Sequence, residues 1–525
     1  MSETPTDVII SGGGPNGLML ACELALGGVQ PIVLESLPTP SDQPKANGLV
    51  GQVVRLIDMR GLYRPAENDM FGGASGDIPQ PLPSYIFSAL RLDLAALQHN
   101  PMYALPIPQA RLVERLVHRA EELAVGIRWA HALTDFRIEG ERIIATVTGP
   151  DGPYEITTRY LIGADGGKSL VRKRSGIEFR GSSDDRRITR VGHAQIPGAQ
   201  RTPDGGIEIP GAGRFAFGHN RVERGMFVYA EFAPGRAMIG STEYDVDPVS
   251  DDTPVTLDEL RESVERVLGV SVPIAPPQGP GPHALRRTVG QNTLQAEHYR
   301  AGNVLLVGDA AHVHSAMGGP GLNLGMQDAI NLGWKLAAVV RGDVPADLLD
   351  TYESERYPVG ERVMMQSLSQ SALIAPGPEI TALRRLFGEL LHLPEVTAHI
   401  ANLLAGTDVR YDTGDPHPLS GHLIPEFTVH TADGSHRIAE LLRTARPILL
   451  DLTGATAVHA EKWSDRVDIV TATAHDTPAA ALLIRPDGYI AWATDGSGTE
   501  PEADSLRRAL TRWFGPAREL AESRH

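Results

Sequence analysis

The chain of 525 residues is too long for one ordinary hydrophobic core, so about two to four domains are expected. With 42% hydrophobic and 22% charged residues it reads as globular, and a formal net charge of −17 argues against wholesale binding to nucleic acid or an anionic membrane. A single cysteine, Cys22, excludes an internal disulfide framework, a CxxC redox centre and a cysteine-rich zinc site, and no metal site is assigned. No apolar run reaches membrane-spanning length and the acidic, polar start is unlike a signal peptide, so a cytoplasmic setting is expected.

Asp7 to Ser11 is a short β-branched run that ends in Gly12-x-Gly14-x-x-Gly17, with Pro15 and Asn16 in the turn. Leu18 to Leu26 continues with helical character, and Val29 to Leu34 forms the next strand, closing on Glu35. Strand, glycine turn, helix, strand and acid make the dinucleotide fingerprint. The first glycine permits the tight turn, the second admits a pyrophosphate, and the third lets helix and strand pack closely. Glu35 can accept both hydroxyls of an adenosine ribose. The fingerprint does not separate FAD from NAD. Residues 36–61 are a polar loop and a helix that carry Lys45-Ala46-Asn47-Gly48 and Gln52. Pro108-Gln109 opens a helix to about Ala124, Val125 to Phe136 reads as strand and includes Leu133, and Gly149-Pro-Asp-Gly152 is the turn of a hairpin.

Gly167-Lys168-Ser169 tempts a triphosphate-loop assignment, but that motif needs glycine where Ile162 stands. Tyr160 to Arg172 is instead a strand ending in the acid–glycine turn Asp165-Gly166, with Arg172 in the following helical turn. From about 176 to 284 short alternating segments indicate an antiparallel sheet crossed by one helix, Thr256 to Leu268. This segment is read as an insertion, because strand Asn303 to Val307 then resumes and enters Gly308-Asp309-Ala-Ala-His312. Gly318-Gly319-Pro320-Gly321-Leu322-Asn323 follows, and Asn323 to Val340 leads out as a helix. Two phosphate- or ribose-grade loops so far apart in sequence suggest one long cofactor held at both ends. Residues 345–410 are mostly helical. After a turn-rich linker, the order of strands and helices from 426 onward resembles a thioredoxin-like domain, though without any cysteine for redox chemistry.

Three motifs now stand in order: the first glycine loop with Glu35; Asp165-Gly166 with Ser169 and Arg172; and Gly308-Asp309 leading to Gly321-Leu322-Asn323. Together they resemble the FAD-dependent aromatic hydroxylases, the single-component class A flavoprotein monooxygenases. Gly17 to Leu24, Asp328 to Lys335 and Trp463 to Val470 are most similar to enzymes that oxygenate aromatic polyketides and to rifampicin monooxygenases. The resemblance implies an α/β fold. A discontinuous Rossmann-like FAD-binding domain (1–175 and 285–410) carries an inserted antiparallel-sheet substrate domain (176–284) and a C-terminal thioredoxin-like domain (411–525). It implies FAD, NADPH or NADH as reductant and O2 as co-substrate. An aromatic small molecule, a polyketide intermediate or an antibiotic, would be hydroxylated through a flavin C4a-hydroperoxide by a monomer or homodimer. Baeyer–Villiger insertion on the same cofactor and a non-catalytic flavin-containing drug-binding protein are the alternatives.

The resemblance also implies roles. Gly12, Gly14, Pro15, Asn16, Gly17 and Glu35 would hold the ADP half of FAD. Gln109 would meet the flavin side, Leu133 the adenine, and Asp165 would serve FAD and NADPH binding. Asp309 would bind the ribityl chain, and the backbone of Pro320, Gly321, Leu322 and Asn323 would face the isoalloxazine. There a helix N-terminus stabilises negative charge on the reduced flavin. No catalytic side chain is assigned; the backbone from Ala316 to Asn323 is expected to lie near the flavin. Three departures from the family pattern stand out: Lys45 and Gln52 replace arginines, Ala316 replaces a proline, and Pro320 removes a backbone donor. His312 and His314 are either bases for a phenol or packed histidines, with packing preferred. Leu322, Met326, Ala329 and Ile330 are expected in the core, and Asp328 and Lys335 as surface or capping charges.

Overall fold

The computed structural model describes residues 5–43, 45–64, 76–231, 235–249, 253–279, 281–315, 317, 319–475, 477–496 and 499–518. Its organising layer is an eight-stranded sheet in which Thr6–Ser11 is central. Parallel neighbours are Ile32–Glu35 on one side and Gly152–Gly163 on the other, with Gly126–Trp129 and Val304–Leu306 beyond them. Val8, Ile9 and Ile10 are fully buried, as a parallel strand covered on both faces requires. Three turns therefore emerge from neighbouring carboxyl ends: residues 12–17, 164–169 and 308–312. Such a crevice is where open α/β sheets bind ligands.

Two helices pack together against this sheet, Pro15–Leu26 and Pro320–Val340. Their approach depends on glycine. A Cβ on Gly333 would lie 2.3 Å from Glu23 Cβ, and one on Gly27 would lie 2.5 Å from Ala337 Cβ. The second helix begins at Pro320, three residues earlier than the sequence suggested.

Residues 179–313 build a six-stranded antiparallel sheet that takes in Leu285–Ala296 and, at its edge, His312–Val313. In Gly225–Glu231 the side chains alternate. Phe227 and Tyr229 join Leu260 and Val264 of helix Leu257–Leu268 in a separate core, while Met226, Val228 and Ala230 line a cleft on the opposite face. The helix is capped by the Thr256 side chain, which accepts from the Glu259 amide, and it ends at Gly269 with φ 74°.

The C-terminal unit is thioredoxin-like. Its four-stranded sheet runs Asp468–Thr471, Ile448–Asp451, Ala481–Ile484, Ile490–Thr494, with helix Glu500–Phe514 against it. The turn of its last hairpin enters the first unit, where Arg485 and Asp487 meet Glu355 and Asn331. No helix among the described residues is long and apolar enough to cross a membrane, and none of the described His, Cys, Asp and Glu residues cluster as metal ligands.

Candidate functional site

A cleft of about 2140 Å³ runs from the first glycine loop, past the 309–322 loop, to the cavity-facing side of the antiparallel sheet. That exceeds the roughly 300–1,000 Å³ of a pocket for one drug-sized ligand, and leaves room for a long cofactor and a substrate together. Of the residues expected to hold the cofactor, Gly12, Gly14, Pro15, Asn16, Glu35, Lys45, Gln109, Leu133, Asp165, Asp309, Gly321 and Leu322 line it. Gly17, Pro320 and Asn323 do not; they shape its walls. Ala316 and Gly318 lie outside the described residues.

At the first loop, Gly12 has φ 114° and a Cβ there would lie 2.3 Å from the Ala164 carbonyl oxygen. A Cβ on Gly17 would lie 2.0 Å from the Gly12 carbonyl oxygen, so only glycine lets the helix begin so close to the strand. A Cβ on Gly14 would meet nothing within 4 Å, because that backbone faces the open cleft. The Glu35 carboxylate is partly engaged. Oε2 accepts from the Gly13 amide at 2.7 Å and Oε1 from the Leu37 amide at 2.8 Å, which fixes the acid at the mouth of the loop.

Asn16 joins the two distant loops. A Cβ on Gly308 would lie 2.1 Å from its Nδ2, and one on Gly325 would lie 2.2 Å from the same atom. The side chain is thus wedged between the turn after Val304–Leu306 and the helix Pro320–Val340. Its Oδ1 is buried and has no partner. Spacing gave no hint of this, since each glycine is informative only once its neighbour is known.

The Asp165 carboxylate is occupied with its own turn. Oδ1 accepts from Ser169 Oγ at 2.5 Å, and Oδ2 accepts from the Leu170 amide at 2.8 Å. Arg172 then donates to the Gly167 carbonyl and stacks 3.4 Å above the Phe179 ring. The turn is a rigid wall of the cleft. Asp309 is open to the cleft but ringed by protein; burial raises its carboxyl, and His312 and Lys45 pull it back. Lys45 and Asp309 both line the cleft. Gln109 heads its helix, and its amide donates to the Ala46 carbonyl at 2.9 Å.

At the far loop, Pro320 occupies the first turn of its helix, where an N–H would have had no intrahelical acceptor. The donor it lacks is one the helix does not use, so the departure from the family pattern preorganises the helix start. The amides of Gly321 and Leu322, in the first turn, have no helical acceptor and border the cleft. The Asn323 side chain is engaged within the protein: its Oδ1 accepts from the Val50 amide at 3.1 Å and its Nδ2 donates to the Gly319 carbonyl at 2.8 Å. Leu322 is half-buried, packs against the core and also lines the cleft, and Met326, Ala329 and Ile330 are core as expected.

Asp328 and Lys335 are not surface charges; both are fully buried. Asp328 accepts from His312 Nε2 at 2.6 Å, from Arg356 Nε at 2.8 Å and from the Gly308 amide at 3.2 Å. Burial pushes this carboxyl up, but Arg356 and His312 more than offset it and hold the group below the usual carboxylate range. His312 is accordingly a packed, hydrogen-bonded residue that fixes the 308 turn. His314 differs. It lines the cleft, its Nδ1 faces the Ser315 carbonyl, and its Nε2 has no partner. Burial lowers it to about 4, so it is a neutral imidazole with a bare acceptor nitrogen at neutral pH. Gln52 turns away from the cleft: its Nε2 approaches the Tyr489 hydroxyl at 3.4 Å.

Several cleft residues carry no sequence signature. Trp129 and His131 border the end beside Glu35, and the tip of hairpin Ser84–Asp93, with Gln370 and Met317, borders the other. The tip was hidden because Ser88 and Ala89 take φ 52° and 58°, positions where glycine or asparagine is the usual signal.

The donor set fits FAD. Glycine backbone opens onto the cleft at one end, two helix starts offer free amides, and Asn16 Oδ1 and His314 Nε2 are orphaned acceptors along its length. Residues 5–367 match the FAD binding domain family, and residues 417–517 match the family described as aromatic-ring hydroxylase, C-terminal. A relative from Streptomyces rimosus named 12-dehydrotetracycline 5-monooxygenase/anhydrotetracycline 6-monooxygenase is 38% identical, covering 97% of this chain and 99% of its own. The solved structure of an anhydrotetracycline hydroxylase from that organism superposes with a TM-score of 0.84 over 98% of this chain and 100% of its own. A rifampicin monooxygenase from Streptomyces venezuelae is 34% identical, covering 97% of this chain and 99% of its own. A dialkyldecalin synthase from Streptomyces rugosporus is also 34% identical, covering 98% and 100%. The chain belongs to the FAD-dependent aromatic-ring hydroxylases and is a flavoprotein monooxygenase.

Proposed function

We propose that the protein consumes NADPH or NADH and O2 to hydroxylate a bulky polycyclic aromatic compound, a polyketide intermediate or an antibiotic. The observation that carries this is the continuity of the cleft. One cavity joins a nucleotide loop, two helix starts and a broad sheet face lined by Met226, Val228 and Met238. When bound, FAD supplies electron transfer from the nicotinamide and activation of dioxygen. The glycine loop with Asn16 and Glu35 holds the ADP half, Asp309 holds the ribityl chain, and Gln109 meets the flavin side. The amides of Gly321 and Leu322 stabilise negative charge at the ring end. Met226, Val228 and Met317 keep water from the reacting ring. Neutral His314 presents a bare acceptor at Nε2, which can accept a hydrogen bond from a phenolic hydroxyl and so orient it.

The purified protein is expected to be yellow and to oxidise NADPH faster when a polycyclic aromatic such as anhydrotetracycline or rifampicin is added. Failure to retain FAD after reconstitution would overturn the proposal. Because one relative is named as a synthase, product structure by NMR belongs to the test.

A further inference from the structure

Among the described residues of the cleft, Gln370 carries a buried donor that the protein does not use. Gln370, in helix Asp350–Ile374, is 0% exposed and borders the cleft. Its orientation is fixed by the hairpin tip. The Ser88 amide donates to Gln370 Oε1 at 3.1 Å, so that atom is the carbonyl oxygen and Nε2 is the amide nitrogen. Ser88 Oγ donates to the Gln370 backbone carbonyl at 2.7 Å, and Arg384 ties the Ser88 carbonyl to that of Leu373. Both hydrogens on Nε2 lack a partner.

The surroundings make this informative. Ala89 and Val228 pack with Met226, Met317 and Ile374 into one apolar cluster beside the tip. The Ser315 amide donates to Ser367 Oγ, one turn before Gln370, so this face of the helix lies along the loop that reaches Gly321. A buried N–H with no acceptor is costly, and the rarely occupied conformations of Ser88 and Ala89 add backbone strain to hold it in place. An acceptor on a ligand in the cleft would complete the arrangement.

We propose that Gln370 orients the substrate by donating from Nε2 to a ketone or phenolate oxygen on an otherwise apolar ring system. It is a positioning residue: it selects which ring edge is presented and takes no part in oxygen transfer. The inference rests on the proposal that the cleft accepts polycyclic aromatic substrates.

The test uses the FAD-loaded full-length protein. Anhydrotetracycline and 1,8-dihydroxyanthraquinone are oxygen-bearing probes, and phenanthrene is the oxygen-free control; dissociation constants are read from flavin fluorescence. Gln370→Glu keeps an acceptor for the Ser88 amide and removes the donor. It should weaken both oxygen-bearing probes at least tenfold and change phenanthrene less than twofold, with FAD stoichiometry intact. Gln370→Met, which also drops the Ser88 bond, should show the same selectivity and a lower melting temperature. Equal losses for all three probes, a change below twofold for the oxygen-bearing pair, or a wild-type protein that binds neither of them would overturn the inference. Tight, Gln370-dependent binding without NADPH-dependent oxygenation would instead overturn the monooxygenase proposal and leave Gln370 in its role.

Discussion

Asn16 ties together the two distant loops of the cofactor cleft. Gly308 and Gly325 leave space for its amide and for nothing larger. Gly325→Ala should therefore displace Asn16, weaken FAD binding tenfold or more and lower stability by about 1–3 kcal/mol through overpacking. Adding Asn16→Ala should restore much of the stability but not the affinity, a non-additivity that paired thermal melts and flavin titrations would detect. Asp328 makes a second residue-scale case. Asp328→Asn keeps the shape but leaves Arg356 buried without its carboxylate, and should cost roughly 3–5 kcal/mol in urea unfolding. Both effects come from residues whose types were visible in the sequence and whose neighbours were not. Asp328 lies in a helix that is apolar on nearly every face, and a buried acid there declares itself only beside His312 and Arg356.

At the scale of elements, the parts with a local cause were legible. The first glycine loop, the hairpin at Gly149–Gly152 and the helix capped by Thr256 each follow from a turn residue or a cap at a fixed offset. The three turns at the carboxyl ends of the sheet followed from the order of motifs. What stayed hidden was set by partners distant in the chain: the Ser88–Ala89 tip, held by Gln370 and Arg384. Pro320 illustrates how a departure from a family pattern takes its meaning from its place in an element. The sequence shows only that it removes a backbone donor; the structure places that donor at the helix start, where an N–H has no helical partner. Pro320→Ala should consequently change the melting temperature by only a few degrees and stability by less than about 1 kcal/mol, with FAD retained. A collapse of FAD binding in that variant would contradict the assigned position.

Across the whole molecule, the thioredoxin-like unit is fastened by charge rather than by redox chemistry. Three carboxylates, Asp328, Glu355 and Asp487, face three cations, Arg356, Arg485 and Lys335, in a core that also includes Trp334 and Trp513. Burial raises the Glu355 carboxyl, but Arg485 and Lys335 reverse this and bring it to about 2. Its ordinary value is near 4.5, so its stabilising contribution is complete above pH 4.5 and is lost as pH falls towards 2. Glu355→Gln should lower stability at pH 7 by roughly 3–5 kcal/mol and flatten the acid limb of a melting-temperature profile between pH 4.5 and 2. The two-unit attachment could not be read from sequence, because Arg485 and Glu355 are 130 residues apart and neither sits in a motif.

The central claim is that this cleft carries FAD and transfers an oxygen atom from O2 to a polycyclic aromatic ring. The most direct measurement is turnover of the FAD-loaded protein with NADPH under isotopically heavy dioxygen, with anhydrotetracycline and rifampicin as substrates and the product read by mass spectrometry and NMR. Substrate-stimulated NADPH oxidation and one heavy oxygen atom in a ring-hydroxylated product are expected. Bound FAD with a product that carries no heavy oxygen, or with no NADPH oxidation above the substrate-free rate, would contradict the claim.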